Sequence, residues 1–231
     1  MVAETWDGEL NDVNGFHVKA EHVFAALESA KSGAIAEGNV GGGTGMACHE
    51  FKCGTGTSSR IVKIKDASYV VGALVQANYG ARNELRVAGV PVGKFLQNDT
   101  RAKRGDNGSI IIIVATDAPL MPHQLKRVAR RASLGLARNG SYAGNGSGDI
   151  FLAFSTANAD ALVPSGITNV RALGNDDLDP LFLATVRSVE ESIINALVAG
   201  ETMVGVNGNK VVAIDHKQLQ DVLRKHGQLN P

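Results

Sequence analysis

The sequence predicts an α+β fold in which antiparallel sheets are layered with helices. Three observations carry this: β-rich runs cluster between Arg60 and Val92 and resume at Ser109, helical patterns follow at His123 and Asp179, and no steady βαβ alternation links them. At 231 residues with 44% apolar side chains, the chain is large enough to bury a real core. No linker divides it, so residues 1–231 read as one domain.

Along the chain, Ala20 to Ala30 places Val23, Phe24, Leu27 and Ala30 at helical spacing, with Gly33 as a stop signal. Ile61, Val62 and Ile64, then Tyr69 to Ala77 and Arg86 to Val92, read as strands broken at Asp66 to Ser68, Gly80 and Pro91. Phe95 to Gly108 is polar, charged and aperiodic, which predicts an exposed, mobile loop. Ser109 to Ala115 follows as a continuous apolar run, predicting a strand covered on both faces. His123 to Arg138 predicts a helix with Leu125, Val128, Ala129 and Ala132 inward and a solvated face of Lys126, Arg127, Arg130 and Arg131. Asp149 to Ser155 reads as a strand and Asp179 to Ala199 as the longest helix, with Pro180 in its first turn and Gly200 at its end. A strand over Val211 to Ile214 leads into a last helix from His216 to Lys225.

Charge and composition narrow the function. With 23 basic and 23 acidic side chains the net charge is zero, which gives no electrostatic reason to expect nucleic acid or an anionic membrane as partner. The chain has no run of 18 apolar residues, and its start lacks the basic and apolar regions of a secretory signal. A soluble, untargeted and by default cytoplasmic protein is expected. Cys48 and Cys53, with four residues between them, form neither a disulfide framework nor a complete metal site and are read as free thiols. None of the six histidines stands in a triad or zinc spacing, so each is expected to be structural or exposed.

The glycine run Gly41-Gly42-Gly43-Thr44-Gly45 lacks the following Gly-Lys-Ser/Thr of a phosphate loop, so it reads as backbone approaching a substrate or another strand. Gly108-Ser109 lies where the polar loop meets the apolar strand. A serine hydroxyl there can attack the carbonyl of the preceding glycine, which carries no Cβ to obstruct it. The ester then hydrolyses and leaves Ser109 as a new amino terminus. Its α-amine, with a reference pKa near 8, can take the hydroxyl proton without a histidine. The same residues also fit an ordinary Asn-Gly turn into a strand. Ser147 and Asp149 lie two apart, on one side of an extended segment, where they could hydrogen-bond such a nucleophile and its amine, or form a local turn.

The stretches GNVGGGTGM (Gly38 to Met46), VGALVQANYG (Val71 to Gly80), NGSIIIIVATDAPLMPHQLKRVARRASLGLAR (Asn107 to Arg138) and GSGDIFLAFSTAN (Gly146 to Asn158) resemble the L-aminopeptidase D-Ala-esterase/amidase family, which includes the β-peptidyl aminopeptidases. The resemblance runs from about Glu4 to the last helix. It implies a four-layer αββα fold of the N-terminal-nucleophile type and autocleavage into an α-piece, 1–108, and a β-piece, 109–231. Ser109 matches the nucleophile, Ser147 and Asp149 the residues that orient it, and Asn78 an oxyanion-stabilising amide. Glu4 matches the carboxylate that receives the substrate's free amine, and Trp6 stands at the family's oxyanion tyrosine. Asp149 is one methylene shorter than the glutamate often found there.

The activity implied is a self-processing serine aminopeptidase or amidase acting on small peptides, amino-acid amides or esters, needing no metal or organic cofactor, and assembling as a homo-oligomer of processed chains. Family members carry a segment ahead of the Glu4 region. The resemblance therefore implies a fold incomplete at its N-terminal side, with an unpaired sheet edge and uncovered apolar faces. An alternative follows from that: an inactive family fragment serving as a binding or oligomerising module. A nucleotide-binding reading of Gly41 to Gly45 would need a lysine or an acidic ribose partner that the sequence does not place.

Overall fold

A computed structural model describes residues 3–96, 108–161 and 165–230. The elements in chain order are α1 (Ala20–Glu28), β1 (Ala47–Cys48), β2 (Phe51–Lys52), β3 (Thr55–Ile64), β4 (Ala67–Asn78), β5 (Ser109–Thr116), α2 (Pro122–Arg138), β6 (Ile150–Ser155), α3 (Asp179–Val198), β7 (Met203–Val204), β8 (Lys210–Val211) and α4 (His216–Lys225). The central sheet runs β3-β4-β5-β6. The first three strands are antiparallel, whereas β6 runs parallel to β5 after the α2 crossover, so the sheet is mixed rather than wholly antiparallel as the element order predicted.

Period-two alternation divides the sheet residues between two faces. Val71, Ala73, Val75 and Ala77 of β4, with Ile110, Ile112 and Val114 of β5, point to a buried core. Two helices cover that face: α3 crosses β3 and β4, and α2 packs beside it against β5 and β6. Leu181, Val189, Ile193 and Leu197 of α3 and Val128, Ala132 and Leu136 of α2 complete the core. Arg131 and Arg127 extend over the Phe182 ring, with guanidinium carbons 3.9 and 5.1 Å from its centroid, so part of the helix's basic face is tied down by cation–π contact.

The other face carries Leu74, Ile111, Ile113, Leu152 and Phe154, yet no second sheet lies on it among the described residues. Gly33 to Ile35 pass across it and leave a cavity of about 490 Å³ against Leu74, Ile113 and Phe154. The described residues thus supply one helical layer and one sheet of the four layers expected, and β5 is covered on one face where its apolar run predicted two. The run reports composition, and composition does not say what supplies the second cover.

Other expectations changed. Arg86 to Val92 forms a turn closed by an isolated Val87–Val90 bridge rather than a strand, because Ala88 and Gly89 both take left-handed φ. The strand expected at Val211 to Ile214 is the two-residue β8, paired with β7. Most of the loop expected over Phe95 to Gly108 lies outside the described residues. Cys48 and Cys53 are bonded to each other rather than free. His49 and Glu50, both at positive φ, turn the chain tightly between β1 and β2 and bring the two cysteine Cα atoms to 5.7 Å, within bridging range.

Candidate active site

Strand register builds the site. The last residue of β4, Asn78, pairs across the ladder with the first residue of β5, Ser109. Parallel pairing of Ile111 with Ile150 then sets the residues just before β6 beside the start of β5. The Gly148 N–H donates to Ser109 Oγ at 2.9 Å, and the Ile110 N–H donates to Asp149 Oδ1 at 3.1 Å. The second Asp149 oxygen, Oδ2, is buried without a hydrogen-bond partner among the described residues. Ser147 donates its backbone N–H to the Gly144 carbonyl at 2.8 Å, which closes the turn leading into this segment. The Ser147 hydroxyl makes no hydrogen bond to Ser109 among the described residues, so the contact to the serine comes from the neighbouring Gly148 backbone.

Gly108 is fixed by close approach: a Cβ there would fall 2.0 Å from the Asn78 carbonyl oxygen and 2.7 Å from Tyr79 Cα. Any larger residue would push the junction off the end of β4. Asn78 is itself buried and committed on both sides of its amide. Its Oδ1 accepts the Ala47 N–H at 3.1 Å, and its Nδ2 donates to the Trp6 carbonyl at 2.7 Å. One N–H therefore holds the Glu4–Trp6 strip, and the amide nitrogen carries a second. Glu4, Trp6, Asn78, Gly108, Ser109 and Gly148 line one cleft of about 380 Å³. The Glu4 side chain is exposed, and Trp6 presents its indole over Gly8.

The cleft thus gathers Ser109, Gly108, Asn78, Glu4 and Trp6, while Ser147 and Asp149, on either side of the Gly148 that donates to Ser109, are not among its lining residues. Sequence reasoning missed that backbone donor, and it missed Gln76, whose Nε2 bonds Thr5 Oγ1 in the same strip. Strand alternation could have found Gln76, which stands two residues before Asn78 and so on the same face.

The glycine run closes against β3: a Cβ at Gly43 would fall 2.4 Å from the Thr55 nitrogen, and just ahead of the run Gly38 and Thr55 exchange N–H to carbonyl bonds of 2.7 and 3.0 Å, which is the approach to another strand. Among the described residues, no group of three His, Cys, Asp or Glu comes together to hold a metal, and no helix is long and apolar enough to cross a membrane. A large titration shift lies outside the cleft: burial pushes the Lys52 ammonium down to about 8. Among the described residues Lys52 Nζ donates to two carbonyls, Gly43 at 3.3 Å and Cys53 at 2.5 Å.

A mixed sheet covered by a helical layer defines an α+β protein. The sequence matches peptidase family S58 over residues 1–211. It is 50% identical to the β-peptidyl aminopeptidase BapA of Sphingosinicella microcystinivorans over 245 aligned positions, covering 99% of this chain and 62% of that protein. Among solved structures it resembles the L-aminopeptidase D-Ala-esterase/amidase of Ochrobactrum anthropi, a prototype serine aminopeptidase with a variant Ntn hydrolase fold. That match has TM-score 0.90 and 50% identity, covering 99% of this chain and 63% of that one. A Burkholderia sp. β-aminopeptidase matches with TM-score 0.88 and 49% identity, over 99% and 64% of the respective chains. The chain belongs to peptidase family S58. It spans about three-fifths of the length of the relatives it matches.

Proposed function

We propose that this chain acts as a self-processing serine aminopeptidase or amidase with Ser109 as its nucleophile. The observation that carries the reading is the cleft itself. A serine at the head of a central strand, its Oγ already accepting the Gly148 N–H, shares that cleft with an amide donor at Asn78 and a carboxylate at Glu4. The names of the relatives, β-peptidyl aminopeptidase and L-aminopeptidase D-Ala-esterase/amidase, support the same class.

In the processing step Ser109 Oγ attacks the Gly108 carbonyl, the peptide nitrogen leaves with a proton, and the chain is held through an ester. Water cleaves that ester to a Gly108 carboxylate and a Ser109 that has both its hydroxyl and an α-amine. The amine then serves as base in turnover. It takes the Oγ proton as Oγ attacks the substrate carbonyl, and passes the proton to the leaving amine or alcohol. Water releases the acyl group. The second N–H of Asn78 is the donor available to the oxyanion, a contribution of about 3 to 4 kcal/mol in comparable sites. Asp149, whose Oδ1 already takes the Ile110 N–H, offers its unpartnered Oδ2 to the new ammonium, and Ser147 supports that loop. Glu4 pairs with the substrate's free amine, which selects peptides, amino-acid amides or esters with an unblocked N-terminus. Trp6 contributes its carbonyl as an anchor for Asn78 and its indole as a cleft wall. No step calls on a metal or organic cofactor. The processed pieces, 1–108 and 109–231, remain associated through the β4–β5 ladder and assemble as homo-oligomers.

A second reading, a non-catalytic binding or oligomerising module, draws on the uncovered apolar face that carries Leu74, Ile113 and Phe154. One experiment separates the two. Intact-mass analysis of purified protein should find fragments 1–108 and 109–231, and Ser109→Ala should remain a single chain. Folded protein without any species beginning at Ser109 would defeat the enzymatic reading.

A further inference from the structure

Residues 3–7 belong to no helix or strand, and among the described residues they pair with no strand. Cavities lie on both sides of them, about 380 Å³ toward Ser109 and about 630 Å³ toward Phe16 and Val18, and both are bounded by Glu4, Thr5 and Trp6. A wall with empty space on either side gains little from packing, so its position depends on specific bonds. Two of these come from β4: Asn78 Nδ2 to the Trp6 carbonyl, and Gln76 Nε2 to Thr5 Oγ1. Gln76 is in turn braced from behind, since the Gly42 backbone comes so near that a Cβ there would fall 2.0 Å from Gln76 Oε1. Across the ladder Gln76 pairs with Ile111, which lines the floor of the cleft. The Gln76 carboxamide therefore spans glycine run, sheet and strip, and among the described residues no hydrogen bond joins it to Ser109.

We propose that Gln76 is a positioning residue: through Thr5 it fixes the Glu4–Trp6 strip over Ser109 and thereby sets how well Glu4 meets a substrate's free amine. This rests on the reading of Glu4 given above. Gln76 acts on binding, because it holds the amine's partner, and leaves the chemistry at Ser109 alone.

Trp6 is the single tryptophan of the chain, so its fluorescence reports the strip directly. Gln76→Leu and Thr5→Val should each raise acrylamide quenching of Trp6 and lower its anisotropy, with far-UV circular dichroism unchanged. Thr5→Ser, which keeps the hydroxyl, should match wild type. With alanine p-nitroanilide, the first two variants should raise KM about five- to tenfold, the range expected for one lost hydrogen bond. Their kcat should stay within about twofold, and the self-cleaved fraction should equal that of wild type. Quenching and anisotropy unchanged in both Gln76→Leu and Thr5→Val would overturn the proposal, as would a fall in kcat at constant KM. Should wild type neither cleave itself nor turn over the anilide, the enzymatic reading fails, and the fluorescence comparison still decides whether Gln76 holds the strip.

Discussion

On the helix-covered face of the sheet, Val71, Val75, Ile110 and Ile112 are at most 1% exposed, whereas on the opposite face Val70 is 44% and Phe154 43% exposed. The two sets are comparably apolar, so hydrophobicity alone does not separate them. What separates them is what each face does. The covered face holds the fold together through α2 and α3. The open face carries, at one end, the cross-strand pair Asn78 and Ser109 on which the proposed chemistry depends. Because strand residues alternate, the two roles fall to neighbouring positions of the same strand, and single substitutions can separate them.

The largest effect should come from the open-face end, at Asp149. Asp149→Asn keeps the shape and an acceptor for the Ile110 N–H but removes the charge from the buried Oδ2. Processing and hydrolysis should fall by about 10²- to 10⁴-fold, as for a lost acid–base partner, while the thermal midpoint moves by no more than a few degrees. A role confined to the local turn predicts the reverse: full processing with a stability loss of about 1 kcal/mol. Measuring the cleaved fraction and the midpoint on the same samples distinguishes them.

Next in size is a direct contrast between adjacent residues of β5. Ile112 is fully buried under the helices, and Ile113 faces the cavity of the open side. Ile112→Ala should cost about 3 kcal/mol, within the range for a large-to-small core change. Ile113→Ala removes a side chain already bordered by space and should cost less than about 1 kcal/mol. Urea unfolding of both variants tests this. Equal losses would mean that the open face is covered in solution.

The sequence made much of the covered side legible and less of the open side. The α4 span His216–Lys225 and the α2 span ending at Arg138 follow from helical periodicity and terminal residues, because amphipathic helices write their packing face into the sequence. The Ser109 boundary was visible for a related reason, a change from polar loop to β-branched run. By contrast, the Cys48–Cys53 bridge depends on positive φ at two successive residues, His49 and Glu50, and glutamate is not a residue that advertises such a turn. The parallel partner of β5 was hidden because pairing direction is set by where α2 returns the chain. At the site, residue types were recognisable through family resemblance. The donor that reaches Ser109 Oγ is a backbone N–H, and side-chain identity carries no record of that.

The smallest expected effect concerns a buried cation, Lys52 of β2, rather than either face of the central sheet. Lys52 is fully buried, and its Nζ has carbonyl oxygens of Gly43 and Cys53 for partners. Burial disfavours the charged ammonium, so the native pKa falls to about 8 from the ordinary 10.5. Between those values the unfolded chain holds a proton that the native chain has released. Stability contributed by this group must therefore rise with pH through that window, and stay level below it, where both states are charged. The full rise is at most about 3 kcal/mol, and between pH 7.5 and 10 about 2 kcal/mol of it should be visible in urea midpoints. Other lysines and tyrosines titrate over the same range, so the variant Lys52→Met supplies the reference: the wild-type slope should exceed the variant's. Such a slope ties alkaline stability to the β2 segment, whereas Asp149→Asn alters only processing and turnover. If wild type and Lys52→Met show the same slope, the ammonium stays charged in the native protein through pH 10, and the two carbonyls outweigh its loss of water.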